Sequence, residues 1–213
     1  MFRSGKLAAA NLAALAWACA TIGWQFVAVL YLQQALGYTA LTTGLGIVPM
    51  GLAIVVTANL AGKVISRWGL GRVAAVGMLI QATGILLFLR AGTSSDYATI
   101  PLPALLIHGV GNGIHGVGNG LSFPSLNIAA VGGLPDDQQG LASGLVTSAV
   151  QIGAGVGVAV LATVMDLGES SMAGYRLAFL TAGCASLLGA LIAYLGLRTP
   201  KPDIQPVQQP VDV

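Results

Sequence analysis

Acidic residues are scarce in this chain. No Asp or Glu occurs before Asp96, and the 213 residues hold only 7 acids. Charged residues of both signs make up 8% of the sequence, against about 25% in a soluble domain. The two cysteines, Cys19 and Cys184, fall inside apolar runs. They read as small packing residues, so neither a disulfide framework nor a metal cluster is expected. A formal net charge of +2 lacks the basic footprint of a nucleic-acid binder, and no nucleic-acid partner is expected. Apolar residues, by contrast, account for 55% of the chain, and there are 30 glycines. Such a composition belongs in lipid, and at ~20 residues per crossing it provides about six crossings.

The crossings can be placed. Apolar runs cover 7–36, 41–61, 73–89, 101–131, 141–165 and 175–197, each bounded by glycine, proline or charge. The expected fold is an all-α membrane protein, a bundle of six transmembrane helices over 1–198. Residues 199–213 carry four prolines and no apolar period, so a disordered tail is expected there. Arg3 and Lys6 before the first run, with Cys19 after Ala-Trp-Ala, resemble a cleavable signal or lipoprotein start. The run continues past Trp24, Phe26 and Tyr31, beyond the ~7–15 residues of a signal core, and a retained crossing is the better reading.

Lys and Arg set the orientation. With the N-terminus cytoplasmic, Arg3, Lys6, Lys63, Arg67, Arg72, Arg198 and Lys201 lie inside, and Arg90 and Arg176 outside. The chain is therefore expected in the cell (inner) membrane, multi-pass, with both termini cytoplasmic. No run has an acid in its interior. A charge at the bilayer centre costs at least ~2.5 kcal/mol and usually marks function. Anything this chain moves is not carried on a buried carboxylate of its own.

The fourth run contains a tandem duplication. His108-Gly-Val-Gly-Asn-Gly-Ile is followed at once by His115-Gly-Val-Gly-Asn-Gly-Leu. As one helix the 31 residues would span about 46 Å, against a hydrocarbon core of about 30 Å. The second heptad therefore looks inserted, and an overlong or kinked helix is expected. His108, Asn112, His115 and Asn119 fall on one helical stripe, and Ser143, Thr147 and Gln151 make a second on the fifth run. Asn11 and Gln25 lie nearly on one face of the first run. Buried polar groups in lipid need partners or water. Two readings stand: a wet, neutral cavity lined by runs one, four and five, or hydrogen bonds between helices.

The histidines do not form a metal site. Seven residues separate them by about 10.5 Å along a helix, and no Cys or carboxylate sits beside them. As the only side chains in the spans that titrate near neutrality, they could carry a proton. Gly111 to Gly116 matches G-x-G-x-x-G, but no strand precedes it, so no dinucleotide site or other cofactor is expected. Small-xxx-small pairs recur at Gly109/Gly113, Gly116/Gly120, Gly140/Gly144 and Gly153/Gly157. They predict that the fourth and fifth helices pack closely on each other or on a neighbour.

The ordered set Tyr31-Leu-Gln33, Leu36-Gly-Tyr38-Thr-Ala, Gly44 and Val48-Pro49 resembles the C-terminal half of major facilitator superfamily transporters. The nearest branch is the 14-span drug:proton antiporters. Gly120-Leu-Ser-Phe-Pro124, Gly140-Leu-Ala-Ser-Gly144 and Gln151-Ile-Gly153 fit the same pattern, which covers nearly all of residues 1–197. Ala61 to Arg72 resembles the family's cytoplasmic loop between the second and third helices of a half, with Ser66 where an acid usually stands. That likeness makes Gly62, Arg67, Gly69 and Arg72 gating candidates. It also implies that the first, second, fourth and fifth helices line a central cavity while the third and sixth face lipid.

The expected function is half of a secondary active transporter. It would export small amphipathic or drug-like compounds by alternating access, coupled to protons. The cavity candidates are Gln25, Asn112, His115, Thr147 and Gln151. The expected partners are membrane lipid, a small-molecule substrate, protons, and a missing N-terminal six-helix half or a second copy. The alternative is a non-transporting membrane scaffold derived from a carrier. No nucleophile–base pair, metal cluster or charged ring suggests an enzyme or a channel.

Overall fold

The computed structural model describes residues 5–90, 101–132 and 134–197, with the side chains of 90, 101–112 and 136 outside the description. The expected tail, Arg198 and Lys201 expected on the cytoplasmic side, and the loop with Asp96 expected outside all lie beyond the described residues. Six helices follow one another: α1 Gly5–Leu30, α2 Ala40–Trp68, α3 Leu70–Leu87, α4 Pro101–Val131, α5 Asp136–Asp166 and α6 Ser171–Gly196. Among the described residues there is no strand. Five helices, all but α4, are long and apolar enough there to cross a membrane.

The helix ends follow local chemistry. A π-helical turn, Tyr31–Ala35, widens the end of α1, and Gly37 takes φ 68 to reverse the chain. The Thr39 hydroxyl then caps α2 by accepting from the Thr42 N–H at 3.2 Å. Ser170 caps α6 in the same way, accepting from Ala173 N–H at 3.3 Å. Asp137 lies in the first turn of α5, where a carboxylate favours the positive end of the helix dipole. α2 and α5 run several residues beyond their apolar stretches. Hydrophobicity marks the oily layer, whereas a helix can continue through the headgroups.

Packing interleaves the two halves of the sequence. α1 packs chiefly on α5 and α6, and α4 chiefly on α2 and α3. α3 meets α6, and α1 meets α4, to join the two sets. Each of the first three helices thus packs chiefly on partners from the last three. Two apolar cores result. One is rich in alanine: Ala10, Ala13, Ala14, Ala74 and Ala193 pack around Leu126 and Leu197. The other is aromatic, with Trp24, Tyr31, Phe88, Tyr175 and Phe179. Small side chains let backbones approach, and rings fill the space where the helices part.

The glycine pairs divide. A Cβ on Gly116 would strike the Met50 carbonyl, and one on Gly120 would strike the Thr57 hydroxyl, so this pair holds α4 against α2. Gly153 and Gly157 press on the carbonyls of Leu15 and Cys19, holding α5 against α1. Gly140, Gly144 and Gly113 have open space in front of them. Two of the pairs thus serve neighbours, and α4 and α5 barely touch each other. α4 is unbroken over 31 residues with Pro124 inside it. α5 has the same 31 residues without a duplication, and α2 has 29. Length therefore does not set α4 apart in this bundle.

Candidate functional site

Between the two apolar cores lies a buried polar layer. Thr21 on α1, Gln81 on α3, His115 on α4 and Ser186 on α6 are each at most 4% exposed. Gln81 Nε2 donates to Thr21 Oγ1 at 2.8 Å. Ser186 Oγ donates to the Met78 carbonyl at 2.8 Å, tying α6 to α3. The imidazole of His115 stacks on the indole of Trp24, centroids 4.0 Å apart. Neither of its ring nitrogens reaches a partner in hydrogen-bond geometry, and neither does Gln81 Oε1. α4 passes close enough to permit this because Gly118 lies against the backbone of Gly77 and Gln81.

Gln81 escaped the sequence reading. It is the single amide side chain deep in a run that the family resemblance turns toward lipid. Its isolation among apolar residues was the available signal, since a lone amide in hydrocarbon must find a partner.

The other candidates lie on the open side. Ser143, Thr147 and Gln151 are all exposed along α5, so the predicted stripe stands on one accessible face. Thr147 spends its hydroxyl on the Ser143 carbonyl of its own helix at 2.9 Å. Gln25 on α1 and Asn119 on α4 are half-buried. Asn11 donates to the Leu7 carbonyl at 2.8 Å. The side chains of His108 and Asn112 lie outside the described residues. His115 sits inside the bundle, so the stripe steps of four, three and four do not give all its members one environment.

Helix register separates the candidates into tiers. α1 and α5 run parallel, with Gly153 beside Leu15 and Gly157 beside Cys19. By that register Gln151 is level with Ala13 and Ala14, and Thr147 with residues near Ala10. Gln25 stands some eleven residues further along, about 16 Å of helix. It is level with His115 instead, as the Trp24–His115 stack requires. The structure brings Thr147 and Gln151 into one tier and Gln25 and His115 into another.

The gating candidates cluster at the α2–α3 junction. α2 continues through Gly62 and Arg67 to Trp68, so the loop read from 61–72 shrinks to Gly69 alone. Gly69 adopts φ 83, ψ 154, a region open to glycine. Arg67 and Arg72 are exposed on either side of it. Gly71 lies against the carbonyl of Leu197, so α3 starts where α6 ends.

α2 and α5 are the least enclosed helices. In their most apolar stretches 17% and 22% of residues are buried, against 61% for α1. Leu41, Leu45, Leu52 and Val56 stand exposed on α2, and Ile152 and Val156 on α5. α3 and α6 close the bundle with their inner sides and expose Leu79, Leu187 and Leu191 outward.

Comparison with known proteins agrees with this geometry. The chain is 25% identical over 201 residues to a methylenomycin A resistance protein of Streptomyces coelicolor, which covers 94% of this chain and 41% of that protein. It is 30% identical over 165 residues to a tetracenomycin C resistance and export protein of Streptomyces glaucescens, covering 78% of this chain and 29% of the relative. A multidrug resistance protein B homolog of Mycobacterium tuberculosis is 28% identical over 166 residues, again 78% and 29%. The chain thus spans less than half the length of these relatives. The sequence model of the Major Facilitator Superfamily matches residues 9–210. With apolar helices, an interleaved six-helix bundle and that match over most of its length, this multi-pass membrane chain belongs to the Major Facilitator Superfamily.

Proposed function

We propose that the chain forms the C-terminal six-helix half of a carrier that exports small amphipathic or drug-like compounds by alternating access, coupled to protons. One observation carries the reading: α2 and α5 flank the bundle and leave their long apolar faces open, with a polar stripe beside them on α5. A second six-helix unit, an N-terminal half or another copy, would cover the apolar faces and enclose the stripe as a cavity. The names of the relatives, which speak of drug resistance and export, support the substrate class.

In this reading Gln25, Thr147 and Gln151 touch substrate, and Asn112 joins them from α4. His115 stands behind this wall, stacked on Trp24, and shapes the cavity from within. Gly62, Arg67, Gly69 and Arg72 form the cytoplasmic gate. The excess of Lys and Arg on that side supports an orientation with both termini cytoplasmic in the cell membrane.

The test is efflux of a lipophilic dye from a host lacking its own pumps. The chain is expressed alone and with a family N-terminal half. Efflux in either case, abolished by Gln151→Ala and by collapsing the proton gradient, is the expected result. No efflux under either condition would overturn the carrier reading and favour a scaffold.

A further inference from the structure

On the outer side of the bundle, α3 and α6 leave a groove of about 590 Å³ between them. That volume falls within the ~300–1,000 Å³ of small-ligand sites. Its floor is made by Ala75 and Ala190, where methyl groups leave the space a larger side chain would fill. Its walls are Val76 and Leu79 from α3 and Leu187 and Leu191 from α6, all exposed. Positions 72, 76 and 79 step along one side of α3, and 194, 191 and 187 along one side of α6. The two stripes run side by side in opposite chain directions, away from the end where Gly71 meets Leu197.

The lining is almost wholly apolar, and the side chains on it that carry a charge or a hydrogen-bonding group stand at that end. Arg72, Trp68 and Tyr194 line the groove there. From Arg72 to Leu79 the trough extends inward about 10.5 Å along α3. The shape is that of a headgroup site with an oily channel behind it. Trp and Tyr settle at headgroup level, guanidinium pairs with phosphate in two parallel hydrogen bonds, and basic pockets between helices hold anionic headgroups. No acid lines the groove among the described residues, and neither α3 nor α6 contains one. A second copy docked through this face would bring no counter-charge to Arg72, whereas a phospholipid would.

We propose that the α3–α6 groove binds one anionic phospholipid, its phosphate on Arg72 and an acyl chain along Val76, Leu79, Leu187 and Leu191. The inference rests on the chain lying in a membrane and not on its transporting anything, so a failed efflux test leaves it standing.

The test uses the purified chain in mild detergent and counts bound lipid by native mass spectrometry. Phosphatidylglycerol and phosphatidylcholine of equal chain length are offered in turn. The expected result is a single phosphatidylglycerol adduct, preferred about fivefold, the effect of one cation near a headgroup. Arg72→Gln should erase the preference, and Arg176→Gln, an exposed cation at the other end of α6, should leave it intact. Val76→Trp fills the groove from an exposed position and should reduce retention of both lipids, which keeps the test decisive if Arg72→Gln loses its helical circular dichroism. Equal retention of the two lipids by the native chain, equal loss in both arginine variants, or unchanged retention in Val76→Trp would overturn the proposal. So would a dimer that Val76→Trp dissociates.

Discussion

The rings of His115 and Trp24 stack at 4.0 Å with their planes inclined by 26°. The imidazole nitrogens lie out of hydrogen-bond geometry, so the ring is held chiefly by this stack and by its packing. His115→Leu removes the unmatched nitrogens while keeping most of the volume, so the thermal midpoint in detergent should hold or rise. His115→Ala opens a cavity beside Trp24 and should cost about 2–3 kcal/mol. Equal losses in both variants would mean that the ring itself, and not its volume, holds the layer.

The Gln81–Thr21 bond joins α3 to α1 at 2.8 Å. A double-mutant cycle with Gln81→Leu and Thr21→Val should give a coupling of about 0.6–2 kcal/mol, the range for hydrogen bonds between helices in lipid. A coupling near zero would show that each side chain finds another partner.

Glycines with the same spacing should behave in opposite ways. At Gly157 a Cβ runs into the Cys19 backbone, so Gly157→Ala should destabilise the chain by about 1–3 kcal/mol. Gly140→Ala and Gly144→Ala, which face open space, should stay within about 0.5 kcal/mol. Thermal unfolding of the three variants side by side reads this contrast. If Gly144→Ala spares stability but lowers efflux, the open face is in use.

Gly69 turns the chain between α2 and α3 at φ 83. Gly69→Ala should cost about 1–3 kcal/mol, the strain of holding a Cβ in that region. Proteolysis at the junction is a direct readout: cleavage after Arg67 should rise in the variant and stay low in the native chain.

Much of the bundle could be read from runs of apolar residues, because the length of a crossing is imposed by lipid and is written in composition. The α5 stripe was legible because Ser143, Thr147 and Gln151 repeat with the helical period, and among the described residues they stand exposed. Of the α4 stripe only His115 and Asn119 have described side chains, and these two differ in environment. That helix threads between α2 and α3, so Gly116 and Gly120 meet one neighbour while Gly118 meets the other. Periodicity gives a face, but only the neighbours decide what it sees. His115 therefore went inward, and Gln81 became its companion from a helix expected to face lipid. Glycine spacing likewise announced close approach without naming the partner helix.

The interleaved packing has a consequence for how the chain is built. Within this chain α1 precedes α5 and α6, yet those two helices are its principal contacts. Until α5 and α6 enter the bilayer, the face of α1 that packs on them lacks those partners, whereas Trp24 already meets Phe88 at the end of α3 and His115 on α4. Insertion of α1 and completion of its packing are thus separate events in this protein.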